Sequence, residues 1–396
     1  MSSRVDGARV RMPGVVRLMS TAAGLVGANV HYSQPLLPVI ALSLGVAPEL
    51  VSALPAATQL GFALGLLIVL PLADMLDRRR LVVLTIVVAG VALVGQALAP
   101  SVGWLLAAGF LVGMASVAPQ VLSPFAAAVA PPGREGQAAG IVLSGILMGV
   151  LLSKIVAGTV AATAGWHVLY LAASAVMFIL AIVLWRALPP SSPSRALRWG
   201  ELVASPIRLL RAHPALRLHS LLGALVSAMF MAFWATYALH LQQTFGWGPF
   251  LAGLFGFAGI AGSLLAPLSG RAVDNGHVRG ILLTAAAATL LSFLGLGLGG
   301  GIVAVILICV VVLDAAVGLT HAANQARIFR IDPDARGRLN SVYMFSYFAG
   351  GAAGTSLAAA AYGAFGWWGV CGVGLALSLA MTSVVLAKWK MLARPV

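Results

Sequence analysis

The sequence predicts an all-α membrane protein in which twelve transmembrane helices form two pseudo-symmetric six-helix bundles. Three observations indicate this fold class: the composition, the number of long apolar runs, and an internal repeat. The chain has 396 residues, of which 61% are hydrophobic and only 9% are charged. A water-facing surface needs far more charge, so the composition excludes an ordinary soluble protein.

Apolar runs long enough to cross a bilayer occur twelve times, since about 20 helical residues span the hydrocarbon core. The first run follows four arginines as a signal peptide would, but eleven further runs behind it make it a retained span. The predicted cores are Leu18–Leu37, Leu50–Leu72, Leu81–Leu98, Trp104–Ala130, Ala138–Ala161, His167–Trp185, Leu218–Leu241, Phe250–Leu268, Ile281–Leu298, Ile302–Ile328, Asn340–Ala361 and Trp368–Leu386.

Basic residues predict the orientation of these spans. If the N-terminus is cytoplasmic, every Lys and Arg except Lys154 falls in a cytoplasmic segment or at its edge. We therefore expect a multi-pass protein of the bacterial inner membrane with both termini in the cytoplasm. The net charge of +14 does not indicate nucleic acid, because the basic residues form short clusters between apolar runs.

One long polar stretch divides the chain. It predicts an N-terminal six-helix bundle over residues 1–186, a cytoplasmic linker over 187–217 and a C-terminal six-helix bundle over 218–396. An internal repeat supports this division. When Pro132 is aligned with Pro333, the residues Gly136, Gly149, Gly165 and Trp166 fall on Gly337, Gly350, Gly366 and Trp367. Both copies enter from the same side, so the halves are predicted to be parallel repeats that can rock against each other.

A short charged turn recurs in both halves. The first copy is Leu70-Pro-Leu-Ala-Asp-Met-Leu-Asp-Arg-Arg-Arg80, and the second, within 270–280, carries Asp274 and Arg279. The first copy resembles the loop pattern G-x-L-a-D-r-x-G-r-r-x of the major facilitator superfamily at Leu72, Ala73, Asp74, Arg78 and Arg79. Both pattern glycines are replaced, by Leu70 and Asp77. The resemblance covers nearly the whole chain and implies the major facilitator fold.

Closer similarity is to the drug:proton antiporter branch, which includes bacterial nucleoside, sugar and chloramphenicol exporters. Two markers of antiporters are absent: Gly109 stands where many carry an arginine, and Val150 follows Gly149 where they have proline. Antiport is thus what the resemblance implies, and proton coupling has to be argued from other residues. The similarity rests on Asn29–Leu37, Ala232–Trp234, Asn324-Gln325 and Arg338–Asn340.

Two charged residues lie deep within predicted spans. Because an intramembrane charge is costly unless it faces a wet cavity or a counter-charge, we expect Lys154 to face a chamber and attract an anionic or electronegative substrate group. Asp314 is predicted to be the main proton site, with His321 on the same helix face as an auxiliary one. The alternatives are structural: an ion pair with Lys154, or a cap on a neighbouring helix. Lys154 is expected nearer the outer face than Asp314, which disfavours a direct pair.

Polar and aromatic residues within the spans are further candidates for substrate binding. The strongest group lies in the first span, where polar residues crowd before Pro35 and the helix can kink. Amides also hold helices together, and an aromatic stripe such as that of Phe230 can be simple packing. The candidates are Asn29, His31, Gln34, Gln59, Gln120, Trp234, Tyr237, Asn324 and Gln325.

The charged turns are predicted to gate the cytoplasmic side. In the superfamily arrangement Asp74 faces the N-terminus of the eleventh span near Arg338, and Asp274 faces the start of the fifth span. Together with Arg78, Arg79 and Arg279, these residues are expected to bias the conformational equilibrium without touching substrate. The arginines also enforce topology.

The function that we expect is secondary active transport. The protein would export a small organic compound, a drug or a metabolite, by alternating access in exchange for protons. Facilitative or proton-symport uptake by the same fold is the alternative. An enzyme is disfavoured, because the outer loops offer few catalytic groups beyond Glu49 and His167. No nucleotide-binding loop, metal-ligand cluster or cysteine framework occurs, so we expect no cofactor and a monomer whose partners are substrate, protons and the lipid bilayer.

Overall fold

A computed structural model of the chain describes residues 14–131, 134–191, 208–259, 278–332 and 336–393. These residues form helices and short connections, with no strand among them. Asp274 and most of the predicted linker lie outside the described residues, as do Pro132 and Pro333 of the repeat.

The first half contains nine α-helices that make up six spans. α1 and α2 form the first span with a short 3-10 helix (Gln34–Leu36) between them, α3 and α4 form the second, and α6 and α7 form the fourth. The bounds are α1 Gly14–Ala28, α2 Leu37–Leu44, α3 Pro48–Val51, α4 Ala53–Met75, α5 Arg78–Ala97, α6 Val102–Ala115, α7 Ala118–Ala128, α8 Glu135–Ala164 and α9 Trp166–Ala187.

The second half continues the same pattern. α14 contains the eleventh and twelfth spans, interrupted at Gly366, and α11 begins the eighth span. Within the described residues nine helices are long and apolar enough to cross a membrane. This number is consistent with twelve predicted spans, because α14 contains two spans, the first span is broken into shorter helices, and most of the eighth lies outside the described residues. The bounds are α10 Pro214–Phe245, α11 Pro249–Phe255, α12 Val278–Leu298, α13 Val303–Ile328, α14 Arg336–Ala387 and α15 Trp389–Ala393.

The first span is broken at its predicted kink. Regular α-helix ends at Ala28 and resumes at Leu37, with the 3-10 helix around Pro35. Proline has no backbone N–H to donate, and its ring clashes with the preceding turn. The interruption is therefore a local consequence of the sequence, and it confirms the predicted kink.

Paired glycines perform the same task in the two halves. Gly165 and Gly366 adopt φ values of 88° and 58°, in the left-handed region that favours glycine, and each is followed by a tryptophan. Gly149 lies against the backbone of Gly24, and Gly350 lies against the backbone of Ala224. The two glycines that the predicted repeat aligns therefore make similar close backbone contacts, each within its own half.

Each half has its own apolar core. One core draws its buried members from Val16 to Leu188, and the other from Leu218 to Leu392. We call the side of the molecule that carries Arg78, Arg134 and Arg279 the basic face. The side that carries Glu49, Gly165 and Gly366 is the opposite face. The halves meet where α4 packs on α14 and where α8 packs on α11.

Candidate functional site

The contact between α8 and α11 brings two backbones together in the part of the interface nearer the opposite face. A Cβ atom on Gly158 would meet the carbonyl oxygen of Pro249, and one on Gly253 would lie 2.5 Å from the carbonyl oxygen of Lys154. Small residues let membrane helices approach this closely. The first half is thus held against the second at the level of Lys154.

Lys154 reaches across the interface into the second half. Its Nζ lies 2.9 Å from the centroid of the Trp234 ring and 5.9 Å from that of Tyr237. The lysine is 6% exposed and the tryptophan 1%. An ammonium over an indole face is stabilised by about 2 kcal/mol or more when desolvated. The stem of the lysine lies against Gly256, where its Cδ would be 2.9 Å from an added Cβ.

The same indole also contacts Asp314. Trp234 Nε1–H donates a hydrogen bond to Asp314 Oδ1 at 3.1 Å. Asp314 is 6% exposed, and its Oδ2 occupies the space that a side chain at Gly259 would need. Trp234 therefore offers its ring face to the cation and its N–H to the carboxylate.

Lys154 and Asp314 form no direct ion pair within 4.0 Å in the described part of the chain. The indole mediates between them, which is consistent with the expectation that a direct pair is not favoured. Leaving either charge buried alone would be strongly destabilising, so the two charges depend on each other through Trp234.

Neighbouring rings hold the indole in place. The rings of Phe230 and Phe233 lie 6.2 Å and 5.2 Å from that of Trp234, centroid to centroid. Tyr237 donates its hydroxyl hydrogen to the carbonyl of Ala252 at 3.1 Å, which ties α10 to α11. The aromatic stripe thus packs the bundle and also presents a ring to Lys154.

His321 lies in a separate polar cluster nearer the basic face. Its Nδ1 is 3.0 Å from the hydroxyl of Tyr343, and its ring centroid is 4.9 Å from that of Tyr347. It does not contact Asp314, which lies about two helical turns away along α13. Tyr347, whose ring contacts His321, also interacts electrostatically with Asp314.

Other members of this cluster join α10, α13 and α14. Asn324 Oδ1 is 2.8 Å from His219 Nδ1, and Gln325 Nε2–H donates to Asn340 Oδ1 at 3.2 Å. These bonds lie within the second half. Asn324 and Gln325 therefore hold helices of that bundle together, which is the alternative to substrate binding named above for such amides.

The amides of the first half divide into two groups. Gln59 Nε2 donates to the Met231 sulfur at 2.8 Å, and Gln34 Nε2 lies 3.9 Å from it, so both reach across the interface. Their carbonyl oxygens are buried without a hydrogen-bond donor. Asn29 instead points to Met177 inside the first half.

Two further candidates are half-buried. His31 lies within electrostatic range of Lys154 from the broken segment of the first span. Gln120 lies on α7. The structure thus brings His31, Gln34, Lys154 and Trp234 toward one interface and leaves Asn29 outside it.

Comparison with known proteins identifies the family. Residues 19–355 match the family model described as Major Facilitator Superfamily. The chain belongs to the major facilitator superfamily. An uncharacterized transporter of Escherichia coli O157:H7, YgaY, is 38% identical over 369 residues, or 93% of each chain. A probable transporter of Streptomyces coelicolor, SCO4007, is 33% identical over 373 residues, covering 93% of this chain and 85% of its own.

Solved structures show the same fold. The nucleoside transporter NupG has a TM-score of 0.74 at 12% identity, covering 94% of this chain and 99% of its own. A bacterial homolog of the human lysosomal transporter Spinster, inward-facing and occupied, has a TM-score of 0.69 at 15% identity, covering 96% and 97%. This major facilitator protein is a multi-pass membrane transporter of bacterial type and not an enzyme.

Asp77 organises the charged turn of this transporter. Its carboxylate accepts hydrogen bonds from the Arg79 N–H at 3.0 Å and from the Ser191 N–H and hydroxyl at 3.1 Å each. Arg78 N–H donates to the Ser191 hydroxyl at 2.8 Å. Burial would raise the pKa of the Asp77 carboxyl, but these bonds and the nearby Arg80 guanidinium outweigh it and hold the pKa below its usual value.

The predicted gating arginines that the structure describes lie at the basic face. The guanidinium of Arg79 stacks 4.4 Å above the Trp185 ring, and that of Arg279 lies 5.0 Å above the Trp389 ring, an equivalent contact in the other half. Arg338 is exposed at the start of α14. The side chain of Asp74 lies outside the described set, so its gating role and that of Asp274 stay predictions.

Sequence reasoning missed several participants. Asp77 was interpreted only as a replaced glycine, although an aspartate directly before a helix is a strong N-cap signal. His219, Tyr343 and Tyr347 lie at helical spacing on apolar runs and gave a weaker signal. Met231, which receives Gln59, gave none, because its thioether looks like any other apolar side chain.

Proposed function

We propose that this protein exports a small organic compound from the bacterial cytoplasm in exchange for protons, as in the drug:proton antiporter branch, with its basic face in the cytoplasm. The observation that supports this most is the contact of Lys154 with Trp234 and, through it, with Asp314. It joins the two halves, and we propose that it breaks when they part at the opposite face. Alternating access requires such a contact to form and break.

Asp314 is the proposed proton site. While Lys154 lies over the indole, the ionised carboxylate is balanced by a nearby cation and a hydrogen bond. When the halves part at the opposite face, α8 carries the ammonium away and leaves a buried carboxylate with the Trp234 N–H. Taking up a proton then removes the cost of an isolated charge.

Closure reverses this step. The ammonium returns to the indole, the ionised carboxylate is again favoured, and the proton leaves toward the basic face. Tyr347 lies near Asp314, and the His321–Tyr343 pair continues in that direction. His321 is therefore proposed as an auxiliary site. The other ionisable groups that face this centre are Lys154, Tyr237 and, behind Lys154, His31.

The substrate is proposed to bind between Trp234 and the interface amides. The buried carbonyl oxygens of Gln34 and Gln59 accept hydrogen bonds from a ligand, while Met231 and Trp234 supply apolar surface. A chamber that is mostly apolar with a few placed polar groups suits a small amphiphilic compound. Asp74, Asp274 and the basic-face arginines are proposed to set how often that face opens.

The test is a toxicity and accumulation panel in an efflux-deficient host that expresses the full chain. We expect the protein to lower accumulation of at least one compound, and a protonophore to abolish this effect. Asp314→Asn should abolish it as well, because an amide cannot carry the proton. Glu135→Gln, which removes an exposed carboxylate at the start of α8, is the matched control and should export normally.

Each result has a clear reading. Undiminished, pH-driven efflux by Asp314→Asn would exclude this residue as the proton site. Increased accumulation in place of efflux would indicate uptake by the same fold. Expression and membrane insertion of each variant are checked by immunoblot before transport is compared.

A further inference from the structure

We propose that the indole face of Trp234 and the carboxylate of Asp314 form a binding site for a cationic amine of the transported compound. In this proposal Lys154 occupies the site as a tethered substitute until an amine that enters from the basic face displaces it. The inference rests on the proposed transport function and adds the chemical class of the substrate.

The groups of this site are divided between the two halves. The ring face and the carboxylate both belong to the second half, on α10 and α13, whereas the ammonium belongs to α8 of the first. An indole face binds cations more strongly than other aromatic side chains do, and a carboxylate hydrogen-bonded to its N–H makes the ring more electron-rich. The second half therefore carries a site for a cation.

The site disfavours a negatively charged ligand. The sequence suggested that Lys154 attracts an anionic group. Here the ammonium is buried against the indole, and an anion at that place would meet the negative ring face with Asp314 beyond it. A cation would replace Lys154 with its surroundings unchanged. The geometry thus favours a cationic substrate over an anionic one.

Opening of the opposite face removes Lys154 from the site. The backbones of Gly158 and Pro249 touch, so α8 has to leave α11 before the opposite face opens. Because Lys154 belongs to α8, its ammonium leaves with that helix. Trp234 and Asp314 stay together on the second half, so an amine bound to them becomes open to the opposite face, where a proton can replace it at Asp314.

Two glycines beneath the site indicate the shape of a ligand that fits it. Gly256 lies under the lysine stem, and Gly259 lies under Asp314 and the edge of Trp234, so neither of these two positions places a side chain against the site. The space that these glycines leave is filled here by the Lys154 side chain, an alkyl chain that ends in an ammonium. The fitting ligand class is a primary amine on a slim chain with an apolar remainder toward Phe230.

Equilibrium binding tests this without any gradient. Radiolabelled phenethylamine is titrated into the full chain in nanodiscs at neutral pH, with phenylpropionate as the matched anion and tetraethylammonium as a bulky cation. Lys154→Met removes the competing ammonium and should tighten phenethylamine binding by about tenfold or more, since a tethered group competes at an effective concentration in the millimolar range. The surface variant Lys388→Met should bind as the wild type does.

A second change identifies the site. In the Lys154→Met background, Trp234→Leu should weaken phenethylamine binding by about thirtyfold, the factor that corresponds to a desolvated cation–π contact. Asp314→Asn in the same background should also weaken it. Phenylpropionate and tetraethylammonium should bind weakly to every variant.

Several outcomes would overturn the proposal. Weaker phenethylamine binding in Lys154→Met would overturn it, because Lys154 would then help to bind the amine. Loss of phenylpropionate binding in Lys154→Met would also overturn it, because Lys154 would then bind an anion. Absence of amine binding to every variant that elutes as a folded protein would do so as well, with Lys154→Gln as the second replacement. Transport that does not depend on a proton gradient would refute the antiport mechanism but would leave this binding result unaffected.

Discussion

The interface between the two halves is built differently at its two ends. Near the opposite face, α8 and α11 touch through the backbones of Gly158 and Pro249, and Lys154 crosses to Trp234. Toward the basic face, the halves meet through side chains of α4 and α14, such as Phe62 and Phe348, whose ring centroids lie 4.3 Å apart, and hydrogen bonds such as His321 with Tyr343 lie within the second half. α8 shows the same contrast, because Leu143 and Leu147 are more than half exposed whereas Lys154 is buried.

This contrast distinguishes a contact that must break from one that can persist. A backbone contact at glycine has no side chain that could give way, so any separation of α8 from α11 removes it completely. Hydrogen bonds within one bundle move with that bundle and survive rocking. The opposite-face end is therefore the part that reports the conformational state.

The largest effect is expected at the backbone contact. In Gly158→Ala the new Cβ meets the Pro249 carbonyl oxygen, so closure of the opposite face is strained and transport should fall by about tenfold or more. A thiol introduced as Ala238→Cys, in a small cavity between the first span and α10, should react faster with a membrane-impermeant maleimide. The labelling background lacks Cys309 and Cys371.

The control for this change lies on the same helix. Gly140 is exposed and has no neighbour within 4 Å of an added Cβ, so Gly140→Ala should transport and label as the parent protein does. Equal labelling in Gly158→Ala and Gly140→Ala would mean that the α8–α11 contact does not control access.

An intermediate effect is expected in the cluster near the basic face. Tyr343→Phe removes the hydrogen bond with His321, worth about 1 kcal/mol, and should slow export by about fivefold. Labelling of Ala238→Cys should stay unchanged, because the lost bond lies within one half. Ser346→Ala on the same helix loses only a bond to its own turn and serves as control. Altered opposite-face labelling in Tyr343→Phe would show that the cluster participates in closure.

The smallest effect is expected at Asp77, which lies away from the interface. Asp77→Ala removes an N-cap of α5 and should lower the unfolding free energy by about 1 kcal/mol at neutral pH. Because the folded protein holds the pKa of this carboxyl below its usual value, its stabilisation is present above that usual value and is lost as pH falls through the folded value. The difference between Asp77→Ala and wild type should therefore vanish in acid.

Thermal unfolding in detergent at several pH values measures this difference. Ser101→Ala removes another N-cap that does not titrate, so its effect should not depend on pH in this range. A constant Asp77→Ala difference down to about pH 2 would contradict a titrating cap, since the usual carboxyl value is about 3.9.

The fold was predictable because the bilayer makes local patterns decisive. Spans followed from run length, the break near Pro35 followed from its missing N–H, and both buried charges stood out against apolar sequence. The mediating role of Trp234 was not predictable. The chain has nine tryptophans, and the one that faces Lys154 is set by the rotation of α10 against α11. Contacts between distant residues, such as Tyr237 with Ala252, determine this rotation.

The slim stem that carries the Lys154 ammonium past Gly256 also acts as a measure of distance. A flexible lysine can follow the retreating indole until its methylene chain is fully extended, so small breathing motions of the two bundles leave the ring covered. The Trp234 ring is uncovered only when the two bundles separate by more than the lysine side chain can extend. On the proposed mechanism, a shorter residue at position 154 should therefore uncover the ring at a smaller separation of the two bundles.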